Sequence, residues 1–199
     1  MSAVEDMYYL FDMDGVLVDS KEAWFRSFDE AGDISREEFE EKYWGRDMQA
    51  NLEELGKTRK DFCENIFPRH AEAIEPIPGV AEVLSGLEGK KALITNTTSR
   101  CTSEILETLG LAEYFDAIVT SDEVEEGKPD PSIVRRAMEE LGAKPEGTLV
   151  IGDSEHDIEA GRAAGCVTIG IGVEGDYKAD ALEEIPRIVR RIKSERKGR

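Results

Sequence analysis

Asp12 and Asp14, one residue apart and followed by Gly15, stand directly behind the apolar run Met7-Tyr8-Tyr9-Leu10-Phe11. Thr95-Asn96 ends a second such run, Lys128-Pro129-Asp130 follows a third across a loop, and Asp153 follows a fourth, with Asp157 four residues on. Each has a plain reading alone: an aspartate after a strand is often a turn residue or helix cap, Thr95 can be a strand residue, and Lys128 a solvated loop lysine. In combination they suit phosphoryl transfer. Carboxylates crowded at one rim raise one another's pKa, and a hard cation relieves this; Mg²⁺ uses one or two carboxylates plus waters and substrate phosphate. A carboxylate can attack phosphorus to give an aspartyl phosphate. A hydroxyl, a backbone N–H and a lysine can hold the non-bridging oxygens. Residues 12 and 14 of an extended segment point the same way, so Asp12 would attack while Asp14 handles the leaving-group proton.

The elements that must position these groups are visible as alternating patterns. Besides the first run, the segments 92–95, 117–120, 148–151 and 167–171 are short, β-branched and continuously apolar, as parallel strands covered on both faces should be. Between them, Val80, Val83, Leu84 and Leu87, and then Ile133, Ala137, Met138 and Leu141, mark helix faces. Asp130-Pro131 suits a helix start and Gly165 a helix end. Strands alternating with helices predict an α/β fold with a doubly wound parallel sheet, whose ligands lie outside the carboxyl ends of the strands. Residues 16–76 break the alternation, with helices expected at 21–31, 35–43, 47–55 and 58–74 and no strand. This stretch holds Trp24, Trp44 and five of the seven phenylalanines, enough aromatic area for a small helical bundle. The expected domains are therefore a core of 1–15 plus 77–199 and a helical insert at 16–76.

These residues resemble the haloacid dehalogenase-like hydrolases. Phe11-Asp12-Met13-Asp14-Gly15-Val16-Leu17-Val18-Asp19-Ser20 looks like the family's first motif and Ile94-Thr95-Asn96 like its second. Gly127-Lys128-Pro129-Asp130-Pro131 looks like the third, and Ile151-Gly152-Asp153-Ser154-Glu155-His156-Asp157 the start of the fourth. The resemblance spans about residues 7–172. The helical insert after the first motif resembles the α-helical cap of the phosphoglycolate phosphatase and β-phosphoglucomutase branch. It implies a Rossmannoid core and an Mg²⁺-dependent phosphatase acting through an aspartyl phosphate. Asp12 would be the nucleophile and a metal ligand. Asp14 would be the general acid, then base, with its backbone carbonyl on the metal. Gly15, Thr95 and Asn96 would bind phosphate, and Lys128 would stabilise the phosphate and Asp12. Asp153 would ligate Mg²⁺, and Asp157 would ligate it or orient its waters. A sugar-phosphate mutase and a phosphometabolite-binding protein are the alternatives.

Substrate choice is expected in the cap, where Arg46 would fork onto a carboxylate or second phosphate or lie on the surface. Trp44 would stack on substrate or fill the bundle, and Ser20 would line the cleft or form the hinge. Arg26 and Arg59 are expected to be exposed helix charges, His70 to lie on a helix face without a partner nearby in sequence, and His156 at the cleft edge. The 44 acidic against 25 basic residues give a net charge of −19, which repels nucleic acid and anionic membrane. The expected partner is a small phosphorylated metabolite, with a monomer or homodimer acting on it. Residues 187–199 are locally basic, a pattern suited to a solvated helix end. No apolar run reaches the length of a membrane span, and Glu5 and Asp6 argue against a signal peptide. Cys63, Cys101 and Cys166, odd in number and without metal-ligand spacing, are expected to be reduced thiols in a cytoplasmic protein.

Overall fold

Alternation of side chains along each strand decides the layering. In the computed structural model, which describes residues 7–197, the strands are β1 (Tyr8–Phe11), β2 (Val18–Asp19), β3 (Glu75–Pro76), β4 (Lys91–Thr95), β5 (Ala117–Thr120), β6 (Thr148–Gly152), β7 (Val167–Ile171) and β8 (Tyr177–Ala179). Six of them form one parallel sheet in the order β5-β4-β1-β6-β7-β8. The helices are α1 (Lys21–Gly32), α2 (Arg36–Glu38), α3 (Met48–Glu54), α4 (Arg59–Asp61), α5 (Pro68–Ala71), α6 (Val80–Gly86), α7 (Ser99–Leu109), α8 (Ser132–Leu141), α9 (Glu155–Ala163) and α10 (Ile185–Lys197). In β1, Tyr9 and Phe11 pack with α6, α7 and α10 on one face, and Leu10 with α8 and α9 on the other. The fold is thus α/β and doubly wound. The signal-peptide reading of residues 1–6, the start of the 1–15 segment and the last two residues of the basic tail lie outside the described residues.

Local signals in the sequence set several element ends. Asp130 Oδ1 accepts from the Ser132 backbone N–H at 2.8 Å and starts α8, and Gly165 turns the chain left-handed (φ 81°) after α9. The far edge strand is Tyr177–Ala179. Among the described residues no helix is long and apolar enough to cross a membrane.

The inserted helices hang between β2 and β3, which pair antiparallel, Val18 with Pro76 and Asp19 with Glu75. This two-residue ribbon corrects the expectation of no strand in 16–76; two residues are too few for any periodicity to register. The segment expected as one helix over 58–74 is broken into α4, a π-helical turn Phe62–Ile66, and α5. Proline at the start of α5 has no N–H to give the preceding turn. Trp24 stacks on Phe67 (ring centroids 4.2 Å), and Phe28 lies within 5.6 Å of Phe39, Tyr43 and Phe62. These aromatics join the core cluster on the α7 face, so cap and core share one apolar interior.

Two of the three cysteines are not free. Cys63, in the π turn, and Cys101, in the first turn of α7, form a disulfide with Cα atoms 5.7 Å apart, tying cap to core. Their 38-residue separation hid this: folding, not spacing, brings them together. Cys166 is free and buried.

Candidate active site

The end of β1 is anchored by the Asp12 backbone N–H, which donates to Ile151 O at 2.9 Å. This sets the Asp12 carboxylate among the ends of β4, β6 and the loop carrying Lys128. Lys128 Nζ donates to Asp12 Oδ1 (2.5 Å), Asp157 Oδ1 (2.7 Å) and Ile94 O (3.2 Å). All three charged side chains are buried. Burial pushes Asp12 well above the usual carboxylate range, and the charges of Asp157, Asp153 and Asp14 add to this while Lys128 opposes it. Burial works against charge on Lys128, but Asp12 and Asp157 outweigh it and hold its pKa above that of an ordinary lysine. A buried cation shared by two carboxylates is costly to disrupt from either side.

Asp14 has a separate set of partners. Ser20 Oγ (2.5 Å) and Trp24 Nε1 (2.8 Å) donate to Oδ1, and Thr97 Oγ1 (3.1 Å) donates to Oδ2. Ser20 was a candidate from the sequence; Trp24 and Thr97 were not. Trp24 lies one helical turn after Ser20, and that i, i+4 spacing behind Asp14 was the available signal.

Gly15 adopts φ 80°, and a Cβ there would overlap Asp153 Oδ2, so only glycine fits. Its N–H donates to Val18 O at 2.9 Å. This bond closes the tight turn into β2. Thr95 is buried, its Oγ1 accepting from the Thr97 N–H. The Asn96 side chain grips two loops: Nδ2 donates to Lys128 O (2.8 Å) and Gly45 O (3.2 Å), and Oδ1 accepts from Lys128 N–H (2.7 Å).

Asp12, Asp153 and Asp157 each bring a carboxylate oxygen within 4.8 Å of the others. Burial and the neighbouring Asp157 charge raise Asp153 to about 7, partly offset by Lys128. Hard oxygen donors held together against such repulsion fit a divalent cation of the Mg²⁺ kind. Asp157 also accepts from Ser154 N–H (3.1 Å) and Oγ (2.6 Å). With Lys128 on its other oxygen, it braces the lysine. The Asp14 carboxylate stands outside this trio.

A cavity of about 350 Å³ joins these groups to the cap. Arg46, Trp44 and His156 all line it. Arg46 Nη1 donates to Glu54 Oε2 and Lys42 O, each at 3.3 Å. Trp44 packs on Phe39 (5.7 Å) and is half-buried. His156 Nδ1 sits 3.2 Å from Gly45 O. His70 has a partner distant in sequence, Glu30 (2.8 Å). Arg26 pairs with Glu22, whereas Arg59 reaches across from the cap to Asp122 in the core (3.1 Å).

The chain matches the family described as haloacid dehalogenase-like hydrolase over residues 9–171. It is 34% identical to a phosphoglycolate phosphatase of Aquifex aeolicus over 80% of this chain and 81% of that protein. It is 33% identical to the pyrophosphatase PpaX of Halalkalibacterium halodurans, covering 84% and 85%. A subfamily IA hydrolase structure of the same superfamily from Geobacter sulfurreducens superposes with a TM-score of 0.79 at 22% identity, over 92% of this chain and 99% of that one; it shows the shared fold.

Proposed function

Since the chain belongs to the haloacid dehalogenase-like hydrolases and is a phosphatase of that family, we propose that it hydrolyses a small phosphomonoester in two displacements at Asp12. The Asp12 carboxylate attacks phosphorus, the bond to the leaving oxygen breaks, and Asp14 gives that oxygen its proton. An alcohol departs and the phosphoryl group remains on Asp12. Asp14, now a carboxylate, takes a proton from water as the water oxygen attacks phosphorus. The bond to Asp12 then breaks, releasing inorganic phosphate and restoring the carboxylate.

Lys128 opposes the burial that disfavours charge on Asp12 and offers its ammonium to the phosphoryl oxygens. Thr95 and the Asn96 backbone are the further phosphate contacts. Ser20, Trp24 and Thr97 hold Asp14 in one place for both proton transfers. Asp12, Asp153 and the Asp14 carbonyl would hold Mg²⁺, which when bound neutralises charge on the phosphate; Asp157 supports that set. We place the reaction in the cytoplasm, where phosphorylated metabolites are made. There the Cys63–Cys101 bond, buried at 1% and 0% exposure, is shielded from reductants.

The observation that carries this reading is the division of the two carboxylates: Asp12 against Lys128, Asp14 on three neutral donors, both lining one cavity. Lys128 stands where it can meet a phosphoryl group on Asp12, and the fixed Asp14 carboxylate stands beside the same space to exchange protons with the leaving group and water. The test is phosphate release from a panel of small phosphomonoesters with and without Mg²⁺, beside Asp12→Asn. Mg²⁺-dependent multiple turnover that vanishes in Asp12→Asn is expected. No release above the variant on any substrate overturns the reading, and an isomerised phosphorylated product without net phosphate release would make the protein a mutase.

A further inference from the structure

The two relatives named above act, by name, on different phosphates at nearly equal identity, so similarity does not choose the substrate. The cavity does. We infer that it takes the monophosphate of a neutral leaving group that has an apolar face and a hydroxyl directed to Asn51. This rests on the phosphatase reading of the same site.

Three observations carry the inference. Asn51 is 1% exposed and lines the cavity. Its Nδ2 donates to Tyr43 O at 2.8 Å, which fixes the orientation of the amide and leaves Oδ1 as the acceptor. That Oδ1 is buried without a partner, and of the three such side-chain oxygens among the described residues only Asn51's belongs to a residue lining the cavity. An unmet buried acceptor is uncommon and costs stability; a hydroxyl donor on the bound substrate would satisfy it.

The cap wall around it is apolar. Trp24, Phe28, Phe39, Tyr43, Trp44 and Met48 line the same space, a surface that suits the C–H face of a sugar or the ring of a nucleoside.

The third observation is charge. The cations among the described lining residues are Lys128, engaged by Asp12 and Asp157, and Arg46, engaged by Glu54. The acids in the lining are Asp12, Asp14, Asp153 and Glu155. A carboxylate or second phosphate on the leaving group would enter facing acids and an apolar wall, and would have to draw Arg46 from Glu54 to find a cation.

The test compares kcat/KM for a hexose monophosphate, a nucleoside monophosphate, phosphoglycolate, pyrophosphate and p-nitrophenyl phosphate, then for a series of deoxyhexose monophosphates. One of the two hydroxylated monophosphates is expected to exceed phosphoglycolate and pyrophosphate at least tenfold, and which one identifies the source of the hydroxyl. Removing one particular hydroxyl of the favoured substrate should cost tenfold or more, and Asn51→Leu should abolish that penalty. The same substitution should lower the ratio of favoured substrate to p-nitrophenyl phosphate about tenfold, a ratio that general loss of folded enzyme leaves unmoved. If Asn51→Leu does not fold, the deoxy series on the wild type decides. Equal or better turnover of phosphoglycolate or pyrophosphate, or a flat deoxy series, overturns the inference and leaves the phosphatase standing. No release even from p-nitrophenyl phosphate overturns the phosphatase reading itself.

Discussion

Reducing the Cys63–Cys101 bond should weaken the fold by about 4 kcal/mol, because the crosslink closes a loop across 38 residues. In the chain-entropy picture a loop of that length removes about 13 cal/mol/K from the unfolded ensemble, or about 4 kcal/mol at 25 °C. Reduction is a cleaner perturbation than substitution, since it leaves the sulfurs in place and opens no cavity. Both sulfurs are buried, so the bond must be reduced in the unfolded protein, which is then refolded under reductant. Urea unfolding of the two forms is the assay. The oxidised form should show the higher midpoint and a smaller slope with denaturant, because a crosslinked unfolded chain exposes less surface. Amide exchange should report the same bond locally, with residues 62–66 exchanging faster in the reduced protein. Thiol titration of the denatured, unreduced protein should find one free thiol, Cys166. Three free thiols, or stabilities equal within about 1 kcal/mol, would refute the reasoning.

Lys128→Met leaves the buried Asp12 and Asp157 carboxylates without their shared cation; it should destabilise the protein by about 3–5 kcal/mol in chemical denaturation and abolish phosphate release. Asp12 and Asp153 both have folded-state pKa values raised above those of the unfolded chain, Asp153 to about 7. Metal-free protein therefore binds more protons folded than unfolded above about pH 4, and its stability should fall as pH rises from there toward 7. Melts in EDTA should show this decline and added Mg²⁺ should reverse it; a flat profile would contradict the raised values. Gly15→Ala places a methyl group on Asp153 at a left-handed backbone position, and phosphate release should fall about a hundredfold while circular dichroism stays native.

What the sequence disclosed is what repeats or caps. Strands β4 to β7 were legible because a strand buried on both faces is continuously apolar, and α8 because Asp130 and Pro131 announce its start. Asp12, Lys128 and Asp153 were legible because each ends or follows such a run. The broken helix at 59–71 had a local sign in Pro68, which the apolar pattern across 58–74 masked. The β2–β3 ribbon and the disulfide were not legible, since each depends on where residues 18 and 76, or 63 and 101, meet after folding. The same holds for Asn51, which as a sequence letter is one polar residue on an amphipathic helix; only the position of Tyr43 O and the missing partner on Oδ1 make it informative.

The contacts between cap and core also alter what cap closure does. Excluding water is one task of such a lid, but two polar links here run straight into the groups proposed to be catalytic. Trp24, on α1 of the cap, donates to Asp14, and Asn96, beside Thr95, holds Gly45 of the cap with the same Nδ2 that holds Lys128 O. Met48 N–H adds a third link by donating to Asn96 O at 3.0 Å. Lifting the cap would take one donor from Asp14, the proposed acid–base group, and loosen the residue that seats the lysine loop. On the proposed mechanism, and within what the Cys63–Cys101 tie between cap and core allows, closure would complete the orientation of Asp14 and Lys128 as substrate fills the cavity, and a ligand that fits the cap poorly would leave both less well placed. Selectivity written in Asn51 and the aromatic wall would on this arrangement appear in kcat as well as in KM.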